Sequence, residues 1–221
     1  MVKLVIFDVD GVLIDSENLY LKAAAINCEK YHYDIPLDIL KKVIGGNTSL
    51  HKQLVLDYKG QDFNFDEYHN NLINIIYDLR QKSPAPKKKG VDEILSYLKK
   101  MDIKIAIATS TERQRQMFNL KACGLENSFD YMVFGDDIKN SKPDPEIYIK
   151  AWSHFNFKKE ETIIVEDSIN GILSGINAGI RVIYIPDIIN VPKDIEDKTI
   201  KLNDLNELME KINKEEIWKS H

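Results

Sequence analysis

The sequence predicts an α/β fold: a doubly wound, Rossmann-like parallel-sheet core carrying an inserted all-helical cap domain. Three observations predict it. Short β-branched runs recur and alternate with amphipathic helical segments, one long early stretch keeps helical spacing without any such run, and polar residues gather just after the runs. Strands alternating with helices imply right-handed crossovers, and so a parallel sheet covered on both faces.

The first run, 4-LVIF-7, is too short for a stable helix and ends abruptly at Asp8, so it reads as a buried strand. Residues 16 to 82 then show amphipathic helical patterns and no comparable strand, which marks them as the insert. Its exit, 83-SPAPKKKG-90, is proline-rich and basic and suits a semi-rigid hinge. The domains are therefore 1-15 with 83-221 for the core and 16-82 for the cap. Beyond the hinge the rhythm resumes. Helical spacing over 91-VDEILSYLKKM-101 leads into the strand 103-IKIAIA-108, and 112-ERQRQMFNLKAC-123 stops at Gly124 before 131-YMVF-134. The segment 145-PEIYIKAWSHF-155 precedes 162-TIIV-165, and 168-SINGILSGINA-178 stops at Gly179 before 181-RVIYI-185. Gly124 and Gly179 stand where helix C-terminal caps are expected.

Composition narrows the function classes. With 43% hydrophobic residues among 221, the chain has material for one large domain or two smaller ones. A net charge of -5 argues against nucleic acid or an anionic membrane as the main partner, since both need a concentrated basic face. The single basic cluster, 87-KKK-89, reads as a solvated linker. No apolar run approaches the roughly 18 residues that span a bilayer, and Lys3 is followed by too few apolar residues for a signal peptide. Cys28 and Cys123 read as free thiols, which suits a reducing cytoplasm. The five histidines are scattered with no close pair, so a histidine metal site is not expected. A cytoplasmic monomer acting on a small molecule is the expectation.

In a doubly wound sheet, ligands bind beyond the carboxyl ends of the strands. Asp8 and Asp10 follow the first strand, Thr109 and Ser110 the second, and Glu166 and Asp167 the fourth, while Lys142 in 141-SKPDP-145 follows the third at longer range. Four carboxylates in one crevice repel one another and raise each other's pKa unless a cation lies among them. An oxygen-rich set of this kind favours a hard ion such as Mg²⁺. The lysine, the hydroxyls and the backbone N–H groups at helix starts suit a phosphate. With both present, Asp8 can attack phosphorus while Asp10 protonates the departing oxygen and then activates water.

The motif 8-DVDGV-12, the strand-end Thr109, 142-KPDPEIY-148 and 166-EDSINGILSGINAG-179 together resemble the four signature motifs of the haloacid dehalogenase-like hydrolases, in order and over nearly the whole chain. The insert resembles the helical cap of the subgroup containing phosphoglycolate phosphatase, sugar-phosphate phosphatases and β-phosphoglucomutase. The resemblance implies that Asp8 is the nucleophile and Asp10 the general acid and base. It implies that Thr109 and Lys142 hold the transferring phosphoryl group, and that Asp8, Asp167 and the main-chain carbonyl of Asp10 bind Mg²⁺. Glu166 is implied as a further ligand, direct or through water, and Ser168 as the cap of the next helix. The same alignment favours Thr109 for its hydroxyl and Ser110 for its backbone N–H. Gly11, Ser110, Glu17, Tyr20, Gly46 and Asn47 are the candidate substrate-binding residues, with Asp15 and Lys82 in reserve. Tyr31, Tyr33, Tyr58 and Tyr77 read as cap packing.

The expected reaction is hydrolysis of small phosphate esters, sugar phosphates first among them, through an aspartyl-phosphate. A phosphosugar mutase resembling β-phosphoglucomutase is the alternative. Against it, Thr48 and Glu112 stand where such mutases carry an arginine and a lysine for a second phosphate, although Arg113 lies close enough in sequence to substitute. A catalytically silent protein that binds a phosphorylated metabolite is the alternative of another class.

Overall fold

The computed structural model describes residues 1–43, 48–82, 85–188 and 190–218. In chain order the elements are β1 (Leu4–Phe7), α1 (Ser16–Tyr31), α2 (Leu37–Lys41), α3 (Thr48–Lys59), α4 (Phe65–Lys82), α5 (Val91–Lys100), β2 (Lys104–Ala108) and α6 (Arg113–Ala122). There follow β3 (Tyr131–Val133), α7 (Glu146–Ser153), β4 (Thr162–Glu166), α8 (Ile169–Asn177), β5 (Arg181–Tyr184), α9 (Lys193–Glu196), β6 (Ile200–Lys201) and α10 (Leu205–Asn213). They form two compact units, Met1–Ile14 with Lys87–His221, and Asp15–Pro86. No helix among the described residues is long and apolar enough to cross a membrane.

The larger unit is built on one six-stranded sheet in the order β3-β2-β1-β4-β5-β6, with every pairing parallel. All four residues of β1 are buried, as befits a central strand covered on both faces. Leu4 and Ile6 point into a cluster with Ile147, Tyr148 and Ala151 of α7 and Ile172 of α8. By strand alternation Val5 and Phe7 face the other side. There α5 packs on β2 and α10 packs on α5.

The register positions the chemistry. Phe7 lies opposite Ile107 of β2 and Val165 of β4, so the next residue along β1, Asp8, comes level with Ala108 and Glu166. Three strand ends thus meet at the centre of the sheet, as the doubly wound rule requires. The five expected strands form within a residue of their predicted ends. The sequence reading missed β6, an edge strand of two residues, because two residues carry no periodicity.

Among its described residues the smaller unit is all-helical. Ala23 and Ala24 of α1, Val55 of α3 and Tyr68, Leu72, Ile75 and Ile76 of α4 share a buried cluster. Tyr33 packs edge-on against Phe63 and Tyr68, whereas Tyr31 and Tyr58 are exposed. The structure corrects the expectation of scattered histidines. His51 and His69, eighteen positions apart, sit on consecutive helices with ring centroids 5.7 Å apart, and His51 is buried.

Candidate active site

Beyond Phe7 the chain leaves the sheet in a tight loop. The amides of Leu13 and Ile14 both donate to the carbonyl of Val9, at 2.9 and 3.0 Å, and Gly11 N–H donates to the carbonyl of Ile14 at 2.9 Å. Gly11 has φ of +85°, a left-handed conformation that side chains rarely adopt. Space demands glycine as well, because a Cβ there would fall 2.1 Å from Oδ2 of Asp167. The loop after β1 and the carboxylate after β4 are therefore in direct contact.

Around Asp8 the structure assembles a buried ionic cluster. The Lys142 side chain is only 6% exposed. Its ammonium reaches Oδ1 of Asp8 at 2.6 Å, Oε1 of Glu166 at 2.7 Å, and the carbonyl of Ala108 and the hydroxyl of Tyr148 at 3.0 Å each. Tyr148 in turn donates to Oε1 of Glu166 at 2.6 Å. Oε2 of Glu166 accepts from Asp167 N–H, Ser168 N–H and the Ser168 hydroxyl at 3.0 to 3.1 Å. Each oxygen of Glu166 thus has at least the two donors that its lone pairs can serve. Gly171 on the first turn of α8 makes room, since a Cβ there would overlap Oε1 of Glu166 at 1.7 Å.

Burial disfavours charge on all these groups, and the partners decide which keep it. Burial pushes the Asp8 carboxyl up to about 7, assisted by Glu166 and Asp10 and opposed by Lys142. For Lys142, burial alone would strip the proton. Asp8 and Glu166 reverse this and hold its pKa above the ordinary lysine value. Burial also raises Glu166, but Lys142, Tyr148 and the Ser168 amide outweigh it and leave the carboxyl below its usual range. Tyr148 is raised by burial and then by Glu166 and Asp8, so it stays a donor.

Asp10 has different company. Its Oδ2 accepts from the Thr111 hydroxyl at 3.0 Å and, at the outer limit of hydrogen bonding, from the Thr109 hydroxyl at 3.5 Å. Thr109 is buried, and its oxygen accepts from Thr111 N–H at 3.1 Å. Ser110 is exposed. Its carbonyl lies where Gly135 would carry a Cβ, 2.2 Å from that position, so the loop after β2 rests on the turn after β3.

The core candidates Asp8, Asp10, Gly11, Thr109, Ser110, Lys142, Glu166 and Asp167 all lie at this end of the sheet, Glu166 as the last residue of β4 and the others on loops. Arg113, weighed as a substitute cation, is committed elsewhere. Its guanidinium bonds both oxygens of Asp137 at 2.9 and 3.1 Å and lies over the Phe134 ring. In the cap unit Glu17 lies in the first turn of α1, while Tyr20 is part-buried with its hydroxyl 3.4 Å from Nε2 of His51. Asp15 accepts from Asn18 through both oxygens at 3.0 Å, and Lys82 is exposed. Gly46 and Asn47 lie outside the described residues.

Two participants escaped the sequence reading. Tyr148 stands inside the quoted motif 142-KPDPEIY-148, but a tyrosine on an amphipathic helix reads as core. Thr111 lies two residues beyond Thr109, a spacing that was available as a signal.

The chain is similar to several known proteins. A family model described as haloacid dehalogenase-like hydrolase matches residues 5–185. The "Phosphorylated carbohydrates phosphatase" of Thermotoga maritima is 36% identical over 185 residues, spanning 81% of this chain and 83% of that protein. "Pyrophosphatase PpaX" of Halalkalibacterium halodurans is 30% identical, covering 80% of each chain. Among solved structures, one named "putative beta-phosphoglucomutase", from Thermotoga maritima, superposes with a TM-score of 0.81 at 28% identity, covering 96% of this chain and 99% of that one.

Proposed function

The chain belongs to the haloacid dehalogenase-like hydrolases, and on that premise we propose that it is a Mg²⁺-dependent phosphatase of small phosphorylated metabolites, sugar phosphates first among them. As a phosphoric monoester hydrolase it matches the activity carried in the name of its Thermotoga maritima relative. The observation that carries the finer reading is the unequal surroundings of the two acids after β1. Asp8 sits against a buried ammonium, and Asp10 against hydroxyls. Paired carboxylates in unlike environments take unlike roles.

The donors available to a metal are Asp8, Asp167 and the main-chain carbonyl of Asp10, a hard-oxygen set of the kind Mg²⁺ takes. The raised Asp8 carboxyl fits this: burial pushes it up first, Glu166 and Asp10 add to the rise, and a cation held there would offset it. When bound, Mg²⁺ supplies Lewis-acid charge neutralisation at a phosphoryl oxygen. The saturated Glu166 serves better as the anchor of Lys142 and of the turn into α8 than as a direct ligand.

In the first step a carboxylate oxygen of Asp8 forms a bond to phosphorus while the ester P–O bond breaks, and Asp10 gives its proton to the departing oxygen. In the second, water attacks phosphorus, the Asp8–phosphorus bond breaks, and Asp10 takes the water proton. Lys142 balances charge on the phosphoryl oxygens, with the Thr109 hydroxyl and the Ser110 N–H orienting them. Glu17, Tyr20, Gly46 and Asn47 are the proposed specificity positions of the cap. Arg113, held by Asp137, argues against stable binding of a second phosphate and so against the mutase.

The test is to incubate the enzyme with Mg²⁺, β-glucose 1-phosphate and a trace of glucose 1,6-bisphosphate, measuring glucose 6-phosphate and inorganic phosphate together. Free phosphate is expected to dominate. Glucose 6-phosphate forming much faster would overturn the phosphatase reading in favour of a mutase.

A further inference from the structure

Asp187 follows β5, one strand beyond the cluster described above. Its side chain is 9% exposed, and its Oδ1 is paired with the ammonium of Lys88. Lys88 is itself fixed, because its N–H donates to the carbonyl of Leu13 at 2.9 Å and its neighbour Lys87 bridges to Ile14. One residue thus joins the loop after β1 to the end of β5. The other oxygen of Asp187, Oδ2, is buried and has no hydrogen-bond partner among the described residues. Leaving a buried carboxylate oxygen unsatisfied is costly, and a position that tolerates it implies an absent donor. Carboxylate oxygens of Asp187 and Asp167 lie within 4.8 Å of each other.

We propose that Asp187 is a supporting residue of the metal site, accepting through Oδ2 a hydrogen bond from a water carried by Mg²⁺ at Asp167, while Oδ1 stays paired with Lys88. This rests on the Mg²⁺ reading above. Mg²⁺ usually keeps several waters when it is bound by one or two carboxylates, so a second carboxylate this near Asp167 is within reach of a coordinated water. The ion pair with Lys88 accounts for Oδ1 alone. A metal-bound water accounts for Oδ2 and for the siting of Asp187 beside Asp167.

The experiment is calorimetric titration of Mg²⁺ alone into protein freed of phosphate, which needs no turnover. Asp187→Asn is expected to weaken Mg²⁺ binding by about 10-fold to 100-fold, the range for losing an outer-shell partner. Lys88→Met is expected to leave binding as tight as in the unaltered protein or tighter. The double variant should bind as weakly as Asp187→Asn. It retains the original net charge, so restored affinity would reduce the effect to long-range charge and overturn the proposal. So would Mg²⁺ affinity of Asp187→Asn within twofold of the unaltered protein. The double variant leaves no buried charge unpaired, so it reports on the carboxylate even where Asp187→Asn alone fails to fold. Asp167→Asn separates the two readings. If it binds Mg²⁺ like the unaltered protein, the metal reading falls and this one with it; if it abolishes binding while Asp187→Asn does not, this one falls alone.

Discussion

Each unit of the protein buries a polar cluster, and the two solve the problem of burial in opposite ways. In the core, Lys142, Asp8 and Glu166 are packed together, and the lysine and Glu166 are held charged by one another. In the cap, Nε2 of His51 lies 3.4 Å from the Tyr20 hydroxyl and 3.3 Å from that of Tyr68, within a ring of aromatic side chains, and the cluster stays neutral. Burial, and then His69, lowers the His51 pKa to about 4. Burial likewise raises the Tyr20 and Tyr68 hydroxyls far above physiological pH. The lesson is that desolvation acts alike on both, and the number of opposite charges within reach decides the outcome.

The contrast is broken most severely by Asp8→Asn. An amide cannot attack phosphorus, so turnover is expected to vanish while the fold survives; residual phosphate release in contaminant-free protein would sink the covalent route. Next, Asp10→Asn should slow turnover by about 10²–10⁴, the usual range for losing a general acid-base. That loss should shrink for p-nitrophenyl phosphate, whose leaving group scarcely needs a proton. Equal losses for both kinds of ester would remove Asp10 from the acid role.

Lys142→Met tests whether the core cluster is compensated as described. It strands two buried carboxyl groups, and urea unfolding should show a loss of about 3–5 kcal/mol, the range for breaking a buried pair. A change under about 1 kcal/mol would mean that Asp8 and Glu166 are better solvated than their burial indicates.

The cap cluster makes the converse prediction with pH. His51 titrates at about 6.5 unfolded and about 4 folded, so between those values the unfolded chain binds one more proton. Its contribution to stability is full above pH 6.5 and declines by about 1.4 kcal/mol per unit as pH falls towards 4. Urea midpoints measured across that range should lose this slope in His51→Phe. An unchanged slope would place the acid sensitivity elsewhere. The smallest effect is expected of Thr111→Val, which removes one hydrogen bond to Asp10 and should slow turnover by about fivefold, or ~1 kcal/mol. Comparing p-nitrophenyl phosphate with a sugar phosphate would show whether that loss runs through the proton of Asp10.

The core site was readable from sequence where charge interrupts an apolar run, because nothing else explains Asp8, Asp10, Glu166 and Asp167 at the ends of buried strands. What resisted reading was pairing across the sheet. Tyr148 looks like an ordinary core residue until α7 is packed beside Glu166. Asp187, in 186-PDI-188, looks like a turn until β5 is laid next to β4. Arg113 looked available as a cation, and only the turn after β3 reveals Asp136 and Asp137 as its partners. In the cap, His51 and His69 are apart in sequence and meet because α3 and α4 pack together.

The central place of β1 also governs the order in which the chain can assemble during synthesis. Leu4–Phe7 is made well before its parallel neighbours, Lys104–Ala108 and Thr162–Glu166. The residues between 15 and 86, by contrast, draw their hydrophobic cluster entirely from their own stretch. Local contacts form quickly, whereas pairings across a hundred residues carry a large loop-closure cost. An apolar strand ending in two acids therefore gains its first neighbour only after residue 108 is made and its second only after residue 166. Nascent chains stopped short of residue 162 cannot complete the sheet around it, and such chains are the ones that chaperones and proteases will meet.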